Sequence, residues 1–167
     1  REDATRTDWS HHVSGPAVVV GNLPYNVSAP IYFHLLLTGR HLFRRMVLMF
    51  QKEVADRFVA TSGSKTFGPP SVLTWLLTDA QRTMVVRPGA FKPPPKVDSA
   101  IIQVDPLPNP RRDVGTDIDA FNRFIHGLFQ QRRKTIQNNL KRMYGADVLS
   151  SLDDVGIPRS ARSEAVR

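Results

Sequence analysis

Residues Ala17-Val18-Val19-Val20-Gly21 form an apolar run without polar alternation, and it stops abruptly at Asn22-Leu23-Pro24-Tyr25. A short run of this kind, bounded by turn residues, predicts a parallel strand buried on both faces. A second run, Arg45-Met46-Val47-Leu48-Met49-Phe50, leads into a helix from about Gln51 to Ala60. Between the two, Ser28 is placed to cap a helix with Pro30 in its first turn, a body from Ile31 to Leu37, and Gly39 at its end. In the later helix Val54, Phe58 and Val59 form an apolar stripe, while Lys52, Glu53, Asp56 and Arg57 are expected to face water. Strand, helix, strand, helix in succession predicts an α/β sheet with crossover connections.

A polar, Gly-rich loop follows from Thr61 to Gly68, closed by Pro69-Pro70, and then a short helix through Val72 to Leu77. Arg82 to Arg87 and Val97 to Val104 read as two strands. The loop between them is too short for a crossover, so they are expected to pair antiparallel. Asp105-Pro106-Leu107-Pro108-Asn109-Pro110-Arg111-Arg112 reads as a linker by its prolines. Beyond it the apolar period is purely helical: Ile118, Phe121, Phe124, Ile125, Leu128 and Phe129, then Ile136, Leu140 and Tyr144, then Val148, Leu149 and Leu152. Two domains are expected, 1–107 and 108–167.

With 167 residues, 41% of them apolar, the chain can bury a substantial core. It has no run of eighteen apolar residues to span a membrane and no apolar segment of signal-peptide type after Arg1. Cysteine is absent, which excludes disulfides and thiolate metal sites and fits a reducing cytoplasm. The first residue is not Met, which suggests a processed, trimmed or incomplete polypeptide. Net charge is +8, from 23 basic and 15 acidic residues. Such a surface suits a polyanion, although a merely soluble basic protein would share it. The distribution favours the polyanion: residues 130–142 hold Arg132, Arg133, Lys134, Lys141 and Arg142 with no acid among them. The five histidines show no metal-ligand spacing, and no Ser/His/Asp set, Walker motif or complete GxGxxG is present.

Asn22-Leu23-Pro24-Tyr25 has the chemistry to hold a flat, weakly nucleophilic amine such as the exocyclic nitrogen of adenine. That nitrogen shares its lone pair with the ring. Acceptors for both of its N–H groups would draw it towards tetrahedral geometry and free the pair. The Asn22 side-chain oxygen is one acceptor, and a backbone carbonyl in Leu23-Pro24 is the other. Tyr25 offers a stacking face for a flipped base. Phe91, held by the Lys92-Pro93-Pro94-Pro95 run as a stiff polyproline II segment, could stack on the opposite side. No strong base is required, since methylation itself makes the amine acidic. A carboxylate in Glu2-Asp3-Ala4 could accept from the amino group of an adenosyl cofactor. Arg132, Arg133, Lys134, Lys141 and Arg142 read as a surface for phosphates.

Taken together, the chain resembles the small-subunit rRNA adenine dimethyltransferases of the KsgA type. The matching text is Val-Val-Val-Gly-Asn-Leu-Pro-Tyr-Asn-Val-Ser (18–28), Gln-Lys-Glu-Val-Ala-Asp-Arg (51–57), Gly-Ser-Lys-Thr-Phe-Gly (63–68), Phe-Lys-Pro-Pro-Pro-Lys-Val-Asp-Ser-Ala (91–100) and Gln-Arg-Arg-Lys-Thr-Ile-Gln-Asn-Asn-Leu (131–140). These blocks stand in the family's order and cover nearly the whole chain. The resemblance implies the C-terminal half of a Rossmann-like class I methyltransferase sheet, ending in an antiparallel hairpin and followed by a small all-α domain. It also implies S-adenosylmethionine as donor, and N6-dimethylation of two adjacent adenosines near the 3′ end of small-subunit rRNA. Asn22, Leu23, Pro24, Tyr25 and Phe91 fall on its catalytic positions. Asp3, with Ala4, falls on the contact to the cofactor's adenine, and Asn22 borders the cofactor. Arg132, Arg133 and Lys134 fall on the part that docks against rRNA. The implied partner is the small subunit or its precursor, met by a monomeric cytoplasmic enzyme.

One departure stands out. The family's Gly-rich loop and the acidic residue that binds the cofactor ribose are not in these 167 residues. The isolated chain is therefore expected to bind S-adenosylmethionine weakly or not at all and to be inactive by itself. Two rival readings are a large-subunit rRNA adenine methyltransferase of the antibiotic-resistance type, which usually has Ile in place of Leu23, and a non-catalytic rRNA-binding assembly or transcription factor.

Overall fold

The computed structural model describes residues 2–115 and 117–166. The chain divides into two compact units, Arg1–Val59 with Thr74–Asp113, and Ala60–Leu73 with Val114–Arg167. No helix among the described residues is long and apolar enough to cross a membrane.

In the first unit β1 (Ala17–Asn22), α1 (Ser28–Thr38), β2 (Phe43–Gln51) and α2 (Lys52–Phe58) follow the predicted succession. A helix α3 (Pro69–Leu77) then runs directly into β3 (Thr78–Val86), and β4 (Ser99–Pro106) completes a sheet of order β1-β2-β4-β3. β1 and β2 are parallel, and β4 is antiparallel to both β2 and β3. The expected reversed hairpin is present, with β3 beginning at Thr78 rather than at Arg82.

Period-2 burial along β2 and β4 sets the core. Met46, Leu48 and Phe50 lie opposite Val104, Ile102 and Ala100, and all six are fully buried. Helices α1 and α2 cover this face: the Tyr32 ring stacks on Phe58 at 4.7 Å and meets Phe50 edge-on at 5.9 Å. The Tyr32 hydroxyl shares a 3.1 Å hydrogen bond with Thr74 Oγ1. Burial pushes this phenol far above its ordinary range, so it stays neutral.

Several local expectations are corrected. β1 is not buried on both faces: Val18 is 43% and Val20 77% exposed. It has one neighbour among the described strands, and Val20, opposite Val47, lies on the face away from Phe50. Ser28 does not cap α1, whose N-cap is Val27 without a side-chain bond. The Ser28 hydroxyl instead donates to the Tyr25 carbonyl at 3.0 Å. In α2 the buried positions are Ala55 and Phe58. Lys52 and Asp56 do not simply face water. They pair at 2.6 Å, and Asp56 also accepts from Arg82 on β3. Burial alone would raise the Asp56 carboxyl, but these two cations outweigh it and hold the group below its ordinary range.

The second unit contains α4 (Ile118–Phe129), α5 (Ile136–Tyr144) and α6 (Ser150–Asp154). Asp117 caps α4 by accepting from Ala120 N at 2.8 Å, and Thr135 is the N-cap of α5. Leu128, Ile136, Leu140 and Leu152 form the core, flanked by Phe124, Phe129, Met143, Val148 and Leu149. Gly127 permits the close approach of α4 and α5, since an added Cβ would collide with Met143. Fully buried Asn139 donates from Nδ2 to the Leu128 carbonyl at 2.8 Å and the Gln131 carbonyl at 3.4 Å. Ser163 Oγ donates to the same Leu128 carbonyl at 2.7 Å, so α4 ends on side-chain donors. Residues 60–73 join this unit through Gly63 N, which donates to Glu164 O at 2.8 Å, and Phe67, edge-on to Phe129 at 5.9 Å.

Asn139→Ala removes both bonds and opens a buried space, and is expected to cost about 2 kcal/mol, read as a lower urea midpoint at unchanged slope. A second prediction concerns Asp105, which takes both guanidinium arms of Arg45 at 2.7 Å. That bond, with one from Gln103, holds the carboxyl below its ordinary 3.8. The stability it contributes is present above pH 3.8 and lost as pH falls through the depressed value. Asp105→Asn should flatten that acid limb in urea midpoints measured against pH and leave its slope unchanged above pH 5 or so.

Candidate functional site

The strand directions decide what meets at the sheet edge. β1 and β2 are parallel, so Asn22 and Gln51 leave the sheet on the same side. β4 runs the other way, so its first residue Ser99 lies opposite Gln51, and Val86 at the end of β3 lies opposite Ser99. One edge therefore carries the turn after β1, the start of α2, and both ends of the loop from Arg87 to Asp98.

The tetrapeptide occupies that turn. Asn22 is the last residue of β1 and is exposed. Leu23 folds back over Gly21: a Cβ built there would sit 3.1 Å from both Leu23 Cδ2 and Leu48 Cδ2. Glycine at this position lets Leu23 anchor the turn on the β2 core. Pro24 is exposed, and its carbonyl accepts from Val27 N at 3.1 Å. The Tyr25 carbonyl accepts from Ser28 Oγ. Of the three consecutive carbonyls from Leu23 to Tyr25, Leu23's is therefore the one without a partner among the described residues.

The half-buried Tyr25 side chain reaches across the edge, and its hydroxyl shares a 2.6 Å hydrogen bond with Ser99 Oγ. Ser99 is fully buried, so this bond fixes the phenol against a rigid strand. Neither Ser99 nor Ser28 is among the site residues that the sequence suggests, where Ser28 reads only as a helix cap. Their signal is weak, for a buried serine looks like any small core residue until its partner, 74 positions away for Ser99, is known.

Phe91 follows a 3-10 turn, Pro88–Ala90, and its N–H donates to the Pro88 carbonyl at 3.1 Å. It is half-buried and makes no ring contact among the described residues. The proline run after it is not a uniform polyproline II rod: the Lys92-Pro93 peptide is cis and residues 91–93 bend. The loop is fixed instead at its base. Lys52 N donates to the Asp98 carbonyl at 2.9 Å, and Arg87 meets the Asp98 carboxylate at 3.3 Å.

Asp3 and Ala4 lie in the turn before β1. Asp3 Oδ1 accepts from Thr5 N at 2.9 Å and Thr5 Oγ1 at 2.7 Å. These bonds lower the Asp3 carboxyl below its ordinary range and keep it ionised, and Oδ2 has no hydrogen-bond partner among the described residues. The turn is tied to α1, because His34 Nε2 lies 2.8 Å from the Thr7 carbonyl and Thr7 N bonds to the Asp3 carbonyl at 3.0 Å.

The basic candidates lie in the second unit and differ in freedom. Arg132 reaches Glu164 Oε2 at 3.4 Å, and Arg142 donates to Gln130 Oε1. Arg133, Lys134 and Lys141 are exposed and have no side-chain partner among the described residues. Lys141 and Arg142 sit in the last turn of α5, where the helix dipole favours cations.

The family model described as ribosomal RNA adenine dimethylase matches residues 2–166. The ribosomal RNA small subunit methyltransferase A of Syntrophotalea carbinolica is 45% identical over 167 residues, covering 98% of this chain and 62% of the relative. That of Geobacter sulfurreducens is 52% identical over 126 residues, covering 75% of this chain and 45% of the relative. The chain thus spans roughly half to three-fifths of the curated relatives it matches. Among solved structures, a dimethyladenosine transferase from Plasmodium falciparum superposes with a TM-score of 0.76 at 26% identity, over 90% of this chain and 62% of that one. The 23S rRNA methyltransferase ErmE gives 0.65 at 26% identity, over 92% and 61%. Matched along nearly its whole length and sharing the fold of these structures, the chain belongs to the ribosomal RNA adenine dimethylase family.

Proposed function

We propose that this chain forms the target-base portion of an S-adenosylmethionine-dependent adenine-N6 dimethyltransferase. It acts on two adjacent adenosines near the 3′ end of small-subunit rRNA during ribosome assembly. The observation that carries the reading is the bond from Tyr25 to buried Ser99, at the edge shared by Asn22 and the loop of Phe91. Relatives at 40–52% identity bear the small-subunit name, which supports that substrate over the large subunit on which ErmE is named as acting.

Asn22 Oδ1 and the unpartnered Leu23 carbonyl accept the two hydrogens of the adenine amine. Its lone pair is then freed along the direction of attack, an electrostatic arrangement set before the reaction starts. Tyr25, fixed by Ser99, stacks on one face of the extruded base, and Phe91 closes the other. The methylated amine is strongly acidic and passes its proton to water without a dedicated base. S-adenosylmethionine, when bound, supplies the electrophilic methyl group. The residues present suit it: Asp3, an ionised carboxylate whose Oδ1 is taken by Thr5, would accept from the cofactor's adenine amine through Oδ2, with Ala4 beside it in the chain and the exposed Asn22 at the end of β1 as a further contact. Arg133, Lys134 and Lys141 contact phosphates directly, with Arg132 and Arg142 beside them. A monomer in the cytoplasm, meeting an assembling small subunit, completes the proposal.

The test is methyl incorporation by the native polypeptide containing this chain, with separate small- and large-subunit rRNA substrates and mass-spectrometric detection of N6,N6-dimethyladenosine. Transfer to the small-subunit RNA is expected. Transfer confined to the large-subunit RNA would favour the resistance-type reading, and RNA binding without transfer the non-catalytic factor. Asn22→Ala should lower kcat by about 100-fold, the scale for losing one preorganised polar group, and leave RNA affinity unchanged. Tyr25→Phe and Ser99→Ala each remove the same bond, so each should lower kcat/KM about five-fold, equivalent to ~1 kcal/mol. The double variant should lose no more than either single one.

A further inference from the structure

Helix α1 touches both ends of the candidate site. Its first turn grows out of the tetrapeptide. Val27 N donates to the Pro24 carbonyl at 3.1 Å, Ile31 N to the Val27 carbonyl at 3.0 Å, and fully buried Ser28 to the Tyr25 carbonyl at 3.0 Å. His34 stands two turns later on the same helix, about 9 Å along its axis from Ser28. Its Nε2 lies 2.8 Å from the Thr7 carbonyl, and since a carbonyl only accepts, Nε2 carries the hydrogen and donates it. Between these two points Ile31, Tyr32, Leu35 and Leu36 are buried, so the helix is held by the core.

Thr7 passes that hold to Asp3. The Asp3 carbonyl accepts from Arg6 N at 2.9 Å, Thr7 N at 3.0 Å and Thr7 Oγ1 at 2.9 Å. Thr7 is buried and Asp3 exposed, so the turn has its fixed end inside and its carboxylate outside. Residues 2–13 pair with no strand among the described residues. Among those residues the bond from His34 is the one hydrogen bond that joins this segment to the rest of the unit. Trp9 adds an apolar anchor, edge-on to Phe43 at 6.4 Å. Apolar contact is non-directional, whereas a hydrogen bond to a carbonyl fixes both distance and angle.

We propose that His34 is a positioning residue for recognition of the cofactor's adenine. By holding the Thr7 carbonyl it fixes the turn from which Asp3 presents its carboxylate, at a distance from the tetrapeptide turn that the length of α1 sets. This rests on the reading of Asp3 above and adds the residue that aims it. His34 touches neither ligand in this account and acts through Thr7. Without its donor the turn keeps its internal bonds, but the Thr7 carbonyl loses its partner and Asp3 loses its registration with α1.

The experiment is calorimetric titration of the native polypeptide containing this chain with two unreactive ligands. One is S-adenosylhomocysteine. The other is S-inosylhomocysteine, whose base carries a carbonyl where adenine has its amine. The parent should bind the adenine form more tightly, and Asp3→Ala should abolish that preference. His34→Leu should cut the preference about three- to five-fold, the scale of one net hydrogen bond, by weakening the adenine form alone. His34→Gln places an amide donor the same number of bonds from the backbone and should restore it. Thr7→Val removes only the hydroxyl bond to Asp3 and should cut the preference about two-fold, which keeps the relay testable if His34→Leu does not fold. Equal weakening of both ligands by His34→Leu, or a preference unchanged in it or in Thr7→Val, would overturn the positioning role and leave the Asp3 reading intact. A preference that survives Asp3→Ala, or a parent that binds neither ligand, would overturn both.

Discussion

The antiparallel pairing of β4 against β2 is the constraint on which the first unit depends. It sets Ala100, Ile102 and Val104 opposite Phe50, Leu48 and Met46, producing a continuous apolar ladder that the aromatic rings of α1 and α2 cover. Slipping the register by one residue would turn each of these side chains to the other face. The same pairing reverses the chain direction at the sheet edge. Ser99 thereby arrives where β1 ends, and the loop carrying Phe91 opens beside the tetrapeptide turn. Core and site are consequences of one register.

The site itself uses modest interactions in a fixed order. Gly21 leaves room for the Leu23 and Leu48 side chains, both of which approach the space a Cβ would fill. Pro24 and Tyr25 engage their carbonyls with Val27 and Ser28, and the Tyr25 phenol ends on a serine with no exposure to solvent. Each bond contributes about 1 kcal/mol, so their worth lies in positioning more than in stability. Exposed ion pairs such as Arg87–Asp98 contribute less still and define the mouth of the loop mainly by geometry.

The helical unit follows a different plan. Its core is small, and buried polar groups supply much of its specificity: Asn139 and Ser163 converge on the Leu128 carbonyl at the end of α4. The segment around Glu164 then binds the turn between α4 and α5 and the Gly-Ser loop together by backbone bonds. A loop that lies between α2 and α3 in sequence thus belongs physically with the C-terminal helices.

The sequence by itself determined the order of elements, the antiparallel end of the sheet and the helical periods of α4 and α5, and it supplied Asn22 to Tyr25 and Phe91 as the candidates on which the proposed chemistry rests. These are local signals: apolar periodicity, proline and glycine punctuation, and motifs of contiguous residues. Only the tertiary structure decided which face of β1 is covered, since a valine run reads the same whether one side or both are packed. It also assigned Ser28 to the Tyr25 carbonyl instead of a helix cap, paired Tyr25 with Ser99, bent the chain at residues 91–93, and divided the basic cluster into Arg132, restrained by Glu164, and Arg133 and Lys134, which have no side-chain partner among the described residues. The physical reason is that a side chain's periodicity is written in its neighbours along the chain, whereas its hydrogen-bond partner is chosen by strand register and helix packing that bring distant residues within about 3 Å.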